Sequence, residues 1–167
     1  MNPWPYIKHL FEMDSGELPD ILVEGLSPDQ VVSVYDWLMK QCIAPVGTAV
    51  WSVERGQDVP IQEIPNVARA VIEGGVACFR HGLVNLRVGD VLLPALTVFV
   101  GPDGIEFDYR MGAEWNEKTV AALFDLLCEV RRSAPQATIS QAYEGEYKNR
   151  NPEFATAFEA YALSNDA

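Results

Sequence analysis

The sequence predicts an α+β fold, in which an antiparallel or mixed sheet is packed by about four helices. Amphipathic helices are expected at residues 27–42 and 117–133, and they frame a run of short β-forming segments. Two of those segments flank Gly101-Pro102-Asp103-Gly104, a pattern typical of a hairpin turn. Strands and helices do not alternate strictly along the chain, so a doubly wound fold is not expected.

Start signals and apolar periodicity define the helices. Ser27, Pro28 and Gln30 form a capping-box pattern, and apolar side chains then recur at helical spacing as far as Cys42. Asn116 is placed to cap the second long helix. Shorter helices are predicted at residues 6–13 and 66–73, and a last one begins at Pro152, with Phe154, Phe158 and Tyr161 on one face.

The sheet is expected to collect most of the β-forming segments. Strands are predicted at residues 48–53, 76–80, 83–88, 95–100, 105–111 and 137–143. In the second arm of the hairpin, apolar residues at odd positions from Ile105 to Met111 alternate with charged residues at even positions. One face of this strand should therefore be buried and the other polar. The first arm is apolar on both faces except at Thr97, which favours an interior position in the sheet.

Length and charge limit the classes of protein to which this chain can belong. The chain has 167 residues, which predicts a single globular domain spanning residues 1–167. It carries 24 acidic and 12 basic residues, a net charge of -12, and 49% hydrophobic residues. The apolar content excludes a disordered acidic tail, and the negative charge makes nucleic acid an unexpected partner.

The chain shows no export or anchoring signal. The longest apolar run, residues 91–100, is about half the length that a membrane span needs. The N-terminus lacks the basic and apolar regions of a signal peptide. The three cysteines, Cys42, Cys78 and Cys128, are an odd number in apolar contexts, which suits free thiols in a reducing compartment. We therefore expect a cytoplasmic location and no membrane partner.

No catalytic signature is visible. The chain lacks a glycine-rich phosphate loop and a nucleophile elbow. Cys78 and His81 form the one Cys/His cluster, but a structural zinc site needs four ligands. If residues 78–81 form a strand, these two side chains point to opposite faces and cannot share a proton. The sequence therefore predicts no metal and no cofactor, and it favours a binding protein over an enzyme without deciding between them.

Acidic residues are concentrated near the N-terminus. Residues 1–36 contain seven acidic residues opposed by Lys8 alone. Asp14, Glu17 and Asp20 flank a Ser-Gly turn that we expect to be exposed, where they could steer a basic partner. The alternative is that this charge serves only solubility.

A second set of binding residues is predicted beyond the hairpin. Glu106 and Asp108 share one strand face, which is either a solvated polar face or a docking face for a basic partner. Trp115 is either an anchor at the edge of that face or a residue that seals the core. Tyr143 and Tyr147 lie in a polar stretch, where they either contact a partner or lean on the sheet.

The segment from Leu96 to Trp115, with the amphipathic helix and Ala134-Pro135 that follow, resembles small acidic bacterial immunity proteins. Such proteins accompany secreted antibacterial toxins. The resemblance covers about a quarter of the chain. It implies a cytoplasmic inhibitor that binds a cognate toxin, and it implies no catalytic residue.

Three hypotheses of function follow. The first is a non-enzymatic cytoplasmic protein whose acidic surface binds a basic protein, which the resemblance identifies as a toxin. The second is a small-molecule-binding protein or enzyme with a pocket between sheet and helices, using His9 or His81. The third is a homo-oligomeric adaptor such as a homodimer, which a large exposed apolar patch would indicate.

Overall fold

The structure, a computed structural model, describes residues 1–165 of the chain. Five helices lie within those residues: α1 (Trp4–Ile7), α2 (Pro28–Leu38), α3 (Val67–Ile72), α4 (Glu117–Ser133) and α5 (Pro152–Asn165). Short 3-10 turns at Lys8–Leu10 and Ile61–Glu63 supplement them. The helices occur in the predicted order, and there are five within residues 1–165 where about four were expected. The first one and its 3-10 turn replace the single helix expected at 6–13, and α2 ends at Leu38 rather than at residue 42.

The strands form one main sheet and two small hairpins. They are β1 (Asp20–Glu24), β2 (Ala49–Ser52), β3 (Gln57–Pro60), β4 (Phe79–Gly82), β5 (Arg87–Val88), β6 (Val91–Leu92), β7 (Leu96–Gly101), β8 (Gly104–Tyr109) and β9 (Thr138–Ala142). The main sheet has five strands in the order β4-β7-β8-β1-β9, and each neighbouring pair is antiparallel. The α+β prediction is confirmed, and the sheet is antiparallel rather than mixed.

The long helices begin where their caps predict. The Ser27 hydroxyl accepts a hydrogen bond from the Gln30 backbone N–H at 3.3 Å, and the Gln30 side chain accepts one from the Ser27 N–H at 2.9 Å. The Asn116 side chain accepts bonds from the first backbone N–H groups of α4. These contacts satisfy donors that have no partner inside the helix. They fix where α2 and α4 start.

The helices cover one face of the main sheet. Ile21 of β1, Val98 of β7 and Phe107 of β8 are fully buried on this face, in one hydrophobic cluster with side chains from all five helices. The expected alternation in β8 is confirmed, because Ile105, Phe107, Tyr109 and Met111 are all buried. We call this surface the helix-covered face.

Sequence reasoning missed β1, which lies between β8 and β9 in the sheet. Ile21-Leu22-Val23 is a short β-forming run bounded by Pro19 and Gly25, and this is a recognisable strand signal. Acidic residues at both ends of the run led us to group it with the charged N-terminal region. The stretch that contains Gly56, Pro60 and Pro65 favours a loop by its sequence, yet the structure places strand β3 there, with Pro60 as its last residue.

The hairpin between β7 and β8 is confirmed at Gly101–Gly104. A Cβ atom on Gly104 would lie 2.8 Å from the backbone oxygen of Val23 in the neighbouring strand. Only glycine therefore allows β8 to approach β1 at this register.

Within residues 1–165, no helix has both the length and the apolar character needed to cross a membrane. Over the same range, no three histidine, cysteine, aspartate or glutamate side chains are grouped so that they could hold a metal ion.

Candidate functional site: a half-buried acidic face

The face of the main sheet opposite the helices carries a group of carboxylates drawn from several strands. Asp20 of β1 lies directly opposite Asp108 of β8, and Leu22 lies opposite Glu106. Because residues two apart in a strand share a face, all four side chains project on the same side. We call this surface the acidic face, and define it by Asp20, Glu24, Glu106, Asp108 and Glu144 with two basic residues, Arg80 and Arg150.

Arg80 of β4 is the cation around which these carboxylates gather. Its guanidinium pairs with Asp108, lies 3.7 Å from Oε2 of Glu106 and lies 4.0 Å from Oδ1 of Asp20. The same guanidinium sits over the Phe99 ring, 5.3 Å from its centre. One arginine thus partly neutralises three carboxylates, and the acidic face keeps a net negative charge.

Asp108 is buried, which differs from the solvated polar face that the sequence allowed. Its carboxylate accepts a hydrogen bond from the Thr97 hydroxyl at 2.5 Å as well as pairing with Arg80. Only 4% of the residue is exposed. A buried charge with both an ion pair and a hydrogen bond is well compensated. Asp108 therefore holds Arg80 in place and is not free to meet a partner.

Asp20 and Glu106 are less well compensated. Burial raises the pKa of Asp20, and the nearby Arg80 only partly offsets that rise. Burial and the charge of Asp20 raise the pKa of Glu106. Among the hydrogen bonds of residues 1–165, none reaches the Glu106 carboxylate, whose contact with Arg80 is an ion pair at 3.7 Å. Glu106 therefore has unused capacity to accept hydrogen bonds.

The polar segment after β9 folds across the acidic face. The backbone N–H of Asn151 donates to the Gln141 oxygen at 2.8 Å, which ties the end of this segment to the sheet. The Tyr147 hydroxyl lies close enough to Asp20 to lower the pKa of that carboxyl group, and the Leu18 N–H donates to the Glu144 carboxylate at 3.1 Å. The expectation that Tyr147 lies at a polar surface fits its 45% exposure.

Arg150 lies near the end of this segment, and only one of its two terminal nitrogens makes a hydrogen bond. Its Nη2 donates to Glu24 Oε1 at 3.2 Å. Its Nη1 is buried and has no hydrogen-bond partner. The Arg150 side chain as a whole is 32% exposed, so it lies at the border of the acidic face and not in the core.

A cavity of about 340 Å³ lies between this segment and the sheet. Leu22 and Phe99 contribute apolar surface to it, while Glu24, Glu106, Tyr147 and Arg150 supply its polar groups; the hairpin turn and Cys78 complete the lining. Its size is at the lower end of the range for ligand sites. The cavity lies on the sheet face opposite the helices, and neither His9 nor His81 lines it.

The predicted N-terminal site residues do not stay together. Asp14 is ion-paired with Arg110 at 2.8 Å, and this hydrogen-bonded contact lowers its pKa. Glu17 accepts a hydrogen bond from the neighbouring Ser15 hydroxyl at 3.3 Å and is exposed. Asp20 is 3% exposed and belongs to the acidic face. The interpretation of Asp20 as part of an exposed turn was wrong, because it is the first residue of an interior strand.

Trp115 is buried, which supports the core-sealing alternative over the anchor. It is 2% exposed, packs 5.1 Å from the Phe11 ring centre and donates from its indole N–H to the Arg110 backbone oxygen at 2.8 Å. Tyr143 is partly buried and packs against the core. Neither ring is as exposed as that of Tyr147.

Cys78 and His81 have separate environments. Cys78 is exposed and lines the cavity, whereas His81 is buried on the helix-covered face. His81 Nε2 lies 2.9 Å from the Tyr35 hydroxyl, and its Nδ1 lies 2.7 Å from the Gly82 backbone oxygen. The expectation that these side chains could not share a proton is confirmed by this geometry.

Comparisons with known proteins identify no family for the chain. No family model matches the chain, and no curated protein matches it. Among solved structures, the chain is similar to the Pseudomonas aeruginosa T6SS protein PA0821, with a TM-score of 0.36 and 12% identity. The match covers 92% of this chain and 53% of that one, so this chain spans about half the length of that protein. A similarity at this level assigns no function to the chain.

Proposed function

We propose that this protein is a non-enzymatic binding protein whose acidic face engages a basic protein. The observation that carries the proposal is Glu106: a half-buried carboxylate at the edge of a cavity, with a raised pKa and no hydrogen bond. Such a group costs stability unless a cation completes it. A positively charged side chain from a partner would supply that cation.

The charge of the surrounding surface supports a basic partner. The acidic face holds five carboxylates against two guanidinium groups, and the chain as a whole has a net charge of -12. Complementary potentials of this kind accelerate association and disfavour acidic partners. Exposed Tyr147 at the rim is a residue type that interfaces favour.

We further propose that the partner is a toxin and that this chain is its cytoplasmic immunity protein. The resemblance of the segment from Leu96 to Trp115 to immunity proteins supports this finer identification. Most of that segment forms β7, β8 and the hairpin that borders the cavity. An inhibitor needs no catalytic group, and an acidic face can block a cationic active site directly.

Site-specific photo-crosslinking in the native cell tests the binding proposal. A photoreactive phenylalanine analogue replaces Tyr147, and in a matched control it replaces Tyr6, an exposed tyrosine on α1. We expect a covalent adduct with a basic protein from position 147 and none from position 6. Adding Glu106→Lys should abolish the adduct, whereas Glu73→Lys at an exposed helix end should not. Equal adducts from both positions, or survival of the adduct in Glu106→Lys, would contradict the proposal.

A growth assay tests the toxin identification. The crosslinked protein, or a basic secreted protein encoded beside this chain, is expressed alone and together with each variant. Wild-type protein and Glu73→Lys should restore growth, and Glu106→Lys should not. A crosslinked partner that is harmless when expressed alone would refute the immunity role and leave the binding role intact.

A further inference from the structure

The cavity on the acidic face has the features of a slot for one cationic side chain. It lies beside a place where the chain already seats a guanidinium: Arg80 rests on Phe99 and faces three carboxylates. Phe99 and Glu106 also line the cavity, so the same two kinds of surface, an aromatic ring and a carboxylate, are offered to whatever enters it. A planar guanidinium group stacks on an aromatic ring and pairs with a carboxylate more favourably than an ammonium group does.

Arg150 limits where an entering cation can go. Its side chain lines the cavity and donates to Glu24, so that lining carboxylate is already paired. Glu106 accepts no hydrogen bond within residues 1–165, and it lies beside Phe99 in the lining. A cation in the cavity is therefore directed to Glu106 and away from Arg150.

We infer that the cavity binds an arginine residue of the partner protein, with its guanidinium on Glu106 and against the Phe99 ring. This inference rests on the proposed function and specifies how the basic partner is recognised. The volume of about 340 Å³ suits one side chain rather than a longer segment. Neighbouring basic residues of the partner would meet Glu24 and Glu144 at the rim.

Three blocked tripeptides test the chemistry without the natural partner: acetyl-Gly-Arg-Gly-amide and its lysine and citrulline counterparts. Each is titrated into the ¹⁵N-labelled protein, and amide shifts are followed by NMR. The arginine peptide should shift the amides of Leu22, Phe99 and Glu106 and bind about five-fold more tightly than the lysine peptide. The citrulline peptide, which keeps the shape and lacks the charge, should bind about ten-fold more weakly than arginine.

Variants test the charges that line the cavity. Glu106→Gln should lower arginine-peptide affinity about ten-fold and reduce the preference for arginine over citrulline. Arg150→Met removes a positive charge from the lining, so it should strengthen binding of the arginine and lysine peptides and leave the citrulline peptide unchanged. Glu73→Gln, which changes an exposed carboxylate outside the cavity, should leave every affinity unchanged.

The outcomes distinguish this inference from the proposed function. Equal binding of the arginine and lysine peptides, or shifts centred on the Asp14–Glu17 turn, would overturn the arginine slot. The acidic face would still stand if crosslinking from position 147 were specific and sensitive to Glu106→Lys. Loss of that crosslinking specificity would overturn the proposed function, whatever the peptides show.

Discussion

The two faces of the five-stranded sheet differ in what their burial does. On the helix-covered face, Ile21 and Phe107 are fully buried against other apolar side chains, which stabilises the fold. On the acidic face, Asp20 and Asp108 are almost as deeply buried, but removing their charges from water costs free energy. The buried fraction of a residue therefore does not distinguish a core residue from a residue of the candidate site. The sign of its contribution to the free energy of unfolding does, and four predictions test that difference.

The largest expected effect compares neighbours in β1 whose side chains point to opposite faces. Ile21→Ala should lower the free energy of unfolding by about 4 kcal/mol, because a closed core cannot collapse around the deletion. Leu22→Ala should cost about 2 kcal/mol, since Leu22 borders a cavity that already admits water. Urea denaturation measures both values. Equal losses would show that the acidic face is packed as tightly as the core.

Removing the cation of the acidic face should have the next largest effect. Arg80→Met should cost about 2 kcal/mol at pH 7, because Asp20 and Asp108 then lack their partner, while the 40% exposure of Arg80 moderates the loss. Arg110→Met is the matched control, since Asp14, its partner, is at the surface, and little change is expected. Similar losses in both variants, measured by thermal and urea unfolding, would mean that Arg80 holds no buried charge.

A buried histidine makes the helix-covered face sensitive to acid. Burial lowers the pKa of His81 below 6.5, and its neutral ring accepts from the Tyr35 hydroxyl while donating to the Gly82 oxygen. Its contribution to stability is therefore present above pH 6.5 and lost as the pH falls through the lowered pKa. We expect a loss of about 1 kcal/mol between pH 7 and pH 5.

His81→Gln should remove this pH dependence, because an amide can donate and accept in the same directions without taking up a proton. His9→Gln, at an exposed position, should leave it unchanged. Urea denaturation across the pH range measures both. An identical pH profile in His81→Gln and wild type would assign the acid sensitivity to another group.

The smallest effect has the opposite sign. The raised pKa of Glu106 means that its contribution to stability is present below its ordinary pKa, near 4.5, and lost as the pH rises. Glu106→Gln should therefore stabilise the protein by about 0.5 kcal/mol at pH 7, with the difference vanishing towards pH 4. Glu73→Gln is the control. A destabilised Glu106→Gln would show that Glu106 serves the fold rather than a partner.

Sequence patterns predicted the elements whose signals are local. The capping pattern at Ser27, the turn at Gly101–Gly104 and the alternation in β8 each depend on residues close together in the chain, and all three are confirmed. Strand β1 was missed because its five residues carry acidic side chains at both ends. Arg80 and Arg150 form ion pairs with these two acidic side chains. No local sequence pattern reveals such pairs, because the partners are far apart in the chain.

The sequence identified some residues of the candidate site, but not which residues the fold brings together there. Glu106 and Tyr147 were chosen from the sequence, and the structure places both at one cavity. Arg80 and Arg150 were missed, although a basic residue among carboxylates was the available signal. Asp14 and Glu17 lie elsewhere, because charge density along the chain does not report which residues a sheet brings together.

The position of β1 has a consequence for when the protein can bind. Asp20 meets Asp108 only when β1 pairs with β8, and Tyr147 reaches Asp20 only after β9 has paired with the other edge of β1. Contacts so distant in sequence form late in folding, since a long loop must close for each. An incompletely synthesised or partly unfolded chain therefore lacks the acidic face altogether. A partner of the kind proposed above would therefore bind only molecules whose folding is complete.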